Sequence, residues 1–203
     1  MFVEPQTNIS DEHNTGSIEV ICGCMFSGKT EELIRRIRRV TIAKQKVEIF
    51  KPVVDTRYDK ENVVSHNKTV VKSTPVQYAS DIILLSGESD VIGIDEAQFF
   101  DQEIVDVCRK LANSGKRVIV AGLDMDANGE PFGPMPYLLA IAEFVTKLHA
   151  ICAVSGSLAS FTYKLTDSQK TVELGETDIY QARNRKYFNE GKREKHRKTD
   201  AKK

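Results

Sequence analysis

No stretch of this 203-residue chain approaches the roughly 18 consecutive apolar residues of a membrane-spanning helix, and its N-terminus is polar. Neither a spanning helix nor a secretory signal is therefore expected. Cysteine is scarce, with Cys22, Cys24, Cys108 and Cys152 forming no C-x-x-C pair. Two of them lie in or beside a glycine-containing loop that a disulfide would distort, so a reduced, cytoplasmic setting is expected. Net charge is absent too, with 29 basic residues against 29 acidic ones, but the balance is uneven along the chain. Residues 1–17 hold Glu4, Asp11 and Glu12 and no Lys or Arg. Residues 189–203 hold seven basic residues against three acidic ones. Both ends, 1–15 and 189–203, are expected to be disordered, the second as a solvated basic tail. Neither a specific nucleic-acid partner nor a membrane partner is expected.

What the chain does have is a β-branched run, Ile18–Cys22, that ends in Gly23-Cys-Met-Phe-Ser-Gly-Lys-Thr30 and gives way to apolar residues at helical spacing. Strand, G-x-x-x-x-G-K-T loop and helix in that order point to a nucleoside triphosphate site rather than a coincidental glycine turn. Backbone N–H groups of Gly23, Cys24, Met25, Phe26, Ser27 and Gly28 turn toward phosphate oxygens, and Lys29 reaches the β- and γ-phosphates. Thr30 offers a hydroxyl to Mg²⁺. A helix from Gly28 to Ala43 should bury Leu33, Ile34, Ile37 and Val40 and leave its arginines outside. Val47–Pro52 then returns as a parallel strand.

The segment Asp55-Thr-Arg-Tyr58 follows a strand's C-terminal end, where α/β sheets bind ligands, so Arg57 is either a phosphate clamp or an exposed surface arginine. Beyond it, Val63-Val64 and Thr69–Val71 could pair as a hairpin. Val91–Glu96 reads as a buried strand ending in two carboxylates and continuing into Ala97-Gln-Phe-Phe100. Asp95 would hold Mg²⁺, while Glu96 either takes a proton from an attacking hydroxyl or caps the next helix. Asp101–Ser114 reads as that helix, with Gly115 closing it, and Arg117–Ala121 as another buried strand. The long glycine- and proline-rich loop Gly122–Pro136 is expected to join the site. Tyr137–Phe144 reads as a helix and Thr146–Cys152 as the last strand of the main sheet. The expected fold is α/β, a P-loop doubly wound parallel sheet (RecA-like) over 16–152. A small ribbon over 153–188 packs against it.

With Gly23–Thr30, Asp55–Tyr58, Ile94–Phe100, Gly122–Asp124 and Pro131–Gly133 in this order, residues 16–188 closely resemble the cytosolic (type II) thymidine kinases found in bacteria, animals and poxviruses, as a bacterial member. The resemblance implies transfer of the ATP γ-phosphoryl group to the 5′-hydroxyl of thymidine or deoxyuridine, in nucleoside salvage for DNA synthesis. It implies Glu96 as general base, Arg57 and Lys29 as cations at the phosphates, and Thr30 and Asp95 on the magnesium side. Asp95, Glu96, Ala97 and Gln98 complete the ATP site. Met25 and Phe99 would enclose the thymine ring. A lasso, Thr171-Val172-Glu173-Leu174-Gly175, would hold the base through its main chain, with Tyr180 on the substrate side. The family also implies a homotetramer and feedback by thymidine triphosphate. Two departures stand out. Zinc ligands usual in the family would fall at Cys152 with Ser155 and at Asn184 with Tyr187, and only Cys152 has the chemistry, so no zinc is expected. Ala127 stands where relatives usually carry Phe, which removes apolar contact of roughly 1.5–3 kcal/mol. These departures motivate an alternative, a catalytically weak nucleotide-binding relative with a regulatory role. A third reading, an ATPase acting on water, would leave the lasso without purpose.

Overall fold

Strands rich in β-branched residues on both faces need cover on both sides, and this chain supplies it by alternating them with helices. In a computed structural model that describes residues 16–53, 62–64, 70–166 and 178–200, the elements follow in this order. They are β1 (Ser17–Cys22), α1 (Lys29–Ile42), β2 (Val47–Pro52), β3 (Asn62–Val64), β4 (Val70–Lys72), β5 (Thr74–Val76), α2 (Ala79–Leu85) and β6 (Val91–Ile94). A 3₁₀ turn (Ala97–Phe99) precedes α3 (Glu103–Asn113), β7 (Arg117–Gly122), α4 (Met135–Ile141), β8 (Phe144–Lys147), β9 (Ala150–Ile151), β10 (Leu158–Ala159), β11 (Phe161–Lys164), β12 (Tyr180–Arg183) and α5 (Arg185–Asp200). Six strands form one parallel sheet in the order β5-β2-β6-β7-β1-β8. One face packs Ile21, Ile49, Val91 and Ile119 on Leu33, Ile34, Ile37 and Val40 of α1. The other packs Val20, Phe50, Ile92, Ile94 and Val120 on α2, α3 and α4. The doubly wound α/β fold is thus as expected, and β3 and β4 pair as the anticipated hairpin, Val63 opposite Val71.

Several local expectations are corrected. Arg36 of α1 does not point outward but is buried at 3 % exposure, because Glu19 of β1, wholly buried, accepts its Nη1 at 2.6 Å. The expected strand Thr146–Cys152 breaks in two. Its first part, shifted to Phe144–Lys147, joins β1, and Ala150–Ile151 leaves to pair with β10. The helix expected at Tyr137–Phe144 runs from Met135 to Ile141, since Pro134 and Pro136 are at home in a first turn. The tail expected to be disordered from residue 189 is helical to Asp200, as α5, which closes on β11 and β12. β11 and β12 form an antiparallel ribbon, Phe161 opposite Arg183 and Lys164 opposite Tyr180.

Candidate active site

Parallel strands deliver their C-terminal ends to one edge of the sheet, and β1, β6 and β7 bring Gly23, Asp95 and Leu123 there together. The loop after β1 enters α1 through Gly28, at φ 86° and ψ 23°, a left-handed conformation that suits glycine. No side chain caps α1, so its first-turn N–H groups and the positive end of its dipole face the loop. Ser27 Oγ is buried without a hydrogen-bond partner among the described residues, and Lys29 Nζ donates to Cys24 O at 3.0 Å within the loop. Uncapped N–H groups, a buried hydroxyl and a lysine on one loop fit a polyphosphate.

Thr30 Oγ1 lies 3.4 Å from Asp95 Oδ2, so the two residues expected on the magnesium side meet, and their oxygens suit a hard cation. Asp95 is buried, with its N–H bonded to Phe50 O. Next to it Glu96 holds φ 52° and ψ 41°, left-handed for a residue with a β-carbon, and its N–H bonds to Asp95 Oδ1 at 3.0 Å. Gln98, 2 % exposed, donates its Nε2 to the Glu96 carboxylate and accepts Leu123 N–H on Oε1 at 2.9 Å. A carboxylate only accepts and an N–H only donates, so these partners fix which way the amide faces. Gly133 lies flat on the Gln98 carbonyl, where a β-carbon would come to 2.4 Å. Phe99 meets Phe132 edge to face at 5.6 Å, which joins the Asp95–Phe100 segment to the loop after β7.

The P-loop is also tied to the ribbon. Met25 N–H, expected to face the phosphates, instead donates to Thr162 Oγ1 of β11 at 3.0 Å, because the ribbon lies against the loop there, and Cys24 Sγ contacts Ala159 O at 3.4 Å. Tyr180 is buried on β12. Arg57 and Thr171, Val172, Glu173, Leu174 and Gly175 lie outside the described residues. Sequence reasoning missed Asp124 and Lys147, which pair at 2.7 Å at the ends of β7 and β8, on either side of β1. Asp124 Oδ1 is buried without a partner among the described residues. The signal was present, since Asp124 ends a buried strand just as Asp95 does. Burial, then the Asp124 carboxylate, push the Cys22 thiol up to about 11. Burial pushes Cys24 up as well, so both stay protonated thiols beside the phosphate loop.

Among known proteins, the family model described as thymidine kinase matches residues 16–188. A thymidine kinase of Bacteroides thetaiotaomicron is 56 % identical over 181 residues, which cover 89 % of this chain and 91 % of the relative. One from a Rhodothermus species is 59 % identical over 175 residues, 86 % of this chain and 82 % of the relative. One from Porphyromonas gingivalis is 56 % identical over 180 residues, 89 % of this chain and 88 % of the relative.

Proposed function

The chain belongs to the thymidine kinase family, and we propose that its site transfers the γ-phosphoryl group of ATP to the 5′-hydroxyl of thymidine, and of deoxyuridine, as follows. It is a kinase, and its family uses ATP on a small-molecule substrate. The P-loop residues Gly23–Thr30 receive the triphosphate, and Lys29 leaves the Cys24 carbonyl for the phosphates, where Arg57 also serves. Phosphoryl transfer asks for positioning and charge neutralisation more than covalent chemistry, and these cations supply it. Thr30 and Asp95 would hold Mg²⁺, which when bound would offset charge on the phosphate oxygens. Glu96, oriented by Gln98, takes the proton of the 5′-hydroxyl. Met25, Phe99, Tyr180 and residues 171–175 receive the nucleoside. We assign 16–152 to the kinase unit and 153–188 to the lasso or ribbon.

The observation that carries this reading is the contact of Thr30 with Asp95 beside an amide-held Glu96, because it brings the two groups proposed for the metal next to the proposed base. Purified protein with ATP, Mg²⁺ and thymidine should form thymidine monophosphate. Nucleotide binding without turnover would support the regulatory alternative instead. The half-exposed Phe144 and Val145 on edge strand β8 support self-association, proposed as a homotetramer, which light scattering on the purified protein tests. No helix among the described residues is long and apolar enough to cross a membrane. The four unpaired thiols support a reducing, cytoplasmic location, to be tested by localising the tagged protein.

A further inference from the structure

Helix α5 runs beyond residue 188, where the family match ends, for all but its first turn. Its inward residues Phe188, Gly191, Lys192 and Lys195 recur at three- and four-residue spacing and share one face. Phe188, 3 % exposed, stacks on Phe161 of β11 at 4.7 Å and meets Tyr163 edge to face at 6.2 Å. Its ring also closes on Gly129 in the loop after β7, where a β-carbon would come to 3.1 Å. The two lysines extend this seam with charge. Lys195 Nζ donates to Lys164 O at 2.8 Å and to Thr166 O at 2.5 Å, two carbonyls where the chain leaves β11. Lys192 Nζ donates to Asn128 O at 2.9 Å, in the same loop as Gly129. Hydrogen bonds from an ammonium are shorter and stronger than neutral ones, and those of Lys195 are partly buried while that of Lys192 lies at the surface.

The two parts that α5 joins each touch the candidate active site. The ribbon holds Met25 through Thr162, and the loop holds Gln98 through Leu123 and Gly133. We propose that α5 is a clamp that sets the spacing between ribbon and loop, with Lys192 and Lys195 as positioning residues for nucleoside binding. This rests on the reading above that the nucleoside lies between Met25, Phe99 and Tyr180. Among the described residues α5 bonds the ribbon and the loop rather than β1, α1 or β6, and of the triphosphate loop's N–H groups the ribbon takes that of Met25, so the clamp acts more on the nucleoside than on the triphosphate. A wall ordered before binding spares the nucleoside that ordering cost.

The test is steady-state kinetics on the full chain carrying Lys192→Met and Lys195→Met, which keep helix propensity and side-chain length but remove both ammonium groups. The KM for thymidine should rise about tenfold, the scale of re-ordering one or two side chains, and the KM for ATP by clearly less. Lys195→Arg, which keeps a cationic donor, should retain near-normal thymidine KM. An unchanged thymidine KM in the double variant overturns the clamp. An equal rise in both KM values also overturns it, because that marks general loosening. If the unaltered chain fails to phosphorylate thymidine at all, the functional reading falls first, and the two failures are told apart before any variant is made.

Discussion

Glu96 keeps a left-handed backbone that costs a residue with a β-carbon about 1–3 kcal/mol, and the surrounding bonds hold it there. Glu96→Gln should retain ATP binding and lower kcat by about 10²–10⁴, the scale of a general base. Near-normal turnover would remove Glu96 from the mechanism. Gln98→Leu asks a different question, since the carboxylate stays while its amide partner goes. We expect kcat to fall about 10²-fold through misplacement of the base, with little change in the KM for ATP. Stability should drop by about 1–3 kcal/mol as the buried Leu123 N–H loses its acceptor. A kcat within about twofold of the parent would make Gln98 a packing residue only. The order of carboxylates and glycines was legible along the chain, but the amide grip was not, because its second partner lies 25 residues away. Cys152 is a similar case. Burial raises its pKa, but the Ser155 hydroxyl and the N–H groups of Asn184, Val154 and Ser155 bring the thiol down from 9.0 to about 7. Between about pH 7 and 9 the unfolded chain then holds a proton that the folded one has lost, so stability rises with pH across that window. This contribution is lost as pH falls through 7. Urea midpoints from pH 7 to 9 should climb less in Cys152→Ala than in the parent, and parallel curves would refute the assignment.

Among the elements, α1 is held to the sheet by more than its apolar stripe. Glu19 Oε1 accepts Arg117 Nε at 2.5 Å while Oε2 takes Arg36, and Arg36 also bonds Glu32 at 2.9 Å and Thr146 Oγ1 at 2.9 Å. One carboxylate thereby connects α1, β1, β7 and β8 behind the P-loop. Glu19→Gln removes the charge between two guanidinium groups and should lower unfolding free energy by about 3–5 kcal/mol in urea titration. A loss under about 1 kcal/mol would show that water already reaches the arginines. The charge of Arg36 marks it as outward although its spacing from Leu33 and Val40 sets it beside the buried stripe, and only the packing of α1 on β1 brings Glu19 beneath it. The strands β1, β2, β6 and β7 were legible as apolar runs of the right length. By contrast β5 is three residues with a central proline, Thr74-Pro-Val76, and gains its place only by pairing with β2. The length of α5 was hidden for the opposite reason. Its charge count reads as solvated, yet Phe188 and Gly191 at helical spacing give it a face that the ribbon covers.

At the scale of the whole molecule, the ribbon must be attached to the kinase sheet by something, and in the family this chain resembles that attachment usually includes zinc. Here Ser155, Asn184 and Tyr187 do come together, but as hydrogen-bonding groups. Asn184 Nδ2 donates to Ser155 Oγ at 3.2 Å and Ser157 Oγ at 2.9 Å, and Asn184 Oδ1 accepts Tyr187 N–H at 3.0 Å, so Asn184 also caps the start of α5. His149, the nearest imidazole in the sequence, instead shares a hydrogen bond with Ser160 Oγ at 3.1 Å. Serine, asparagine and tyrosine bonded in this way do not make the closed thiolate or imidazole set that structural zinc requires. Beneath them Cys24, Ala150, Cys152, Ala159 and Ala182 form a small apolar cluster with Phe26 and Tyr187, which carries the P-loop and the ribbon in one packing unit. Attachment by packing and neutral hydrogen bonds predicts indifference to chelation. With free Mg²⁺ held constant, a strong zinc chelator should shift Tm by less than about 1 °C and leave thymidine turnover unchanged. Withdrawing a structural ion worth even about 3 kcal/mol would lower Tm by roughly 6–12 °C in a protein of this size. Elemental analysis should find zinc far below one per chain. Stoichiometric zinc, or a fall in Tm on that larger scale, would mean that the hydrogen bonds around Asn184 open to admit a metal, and the attachment of the ribbon would have to be rebuilt around it.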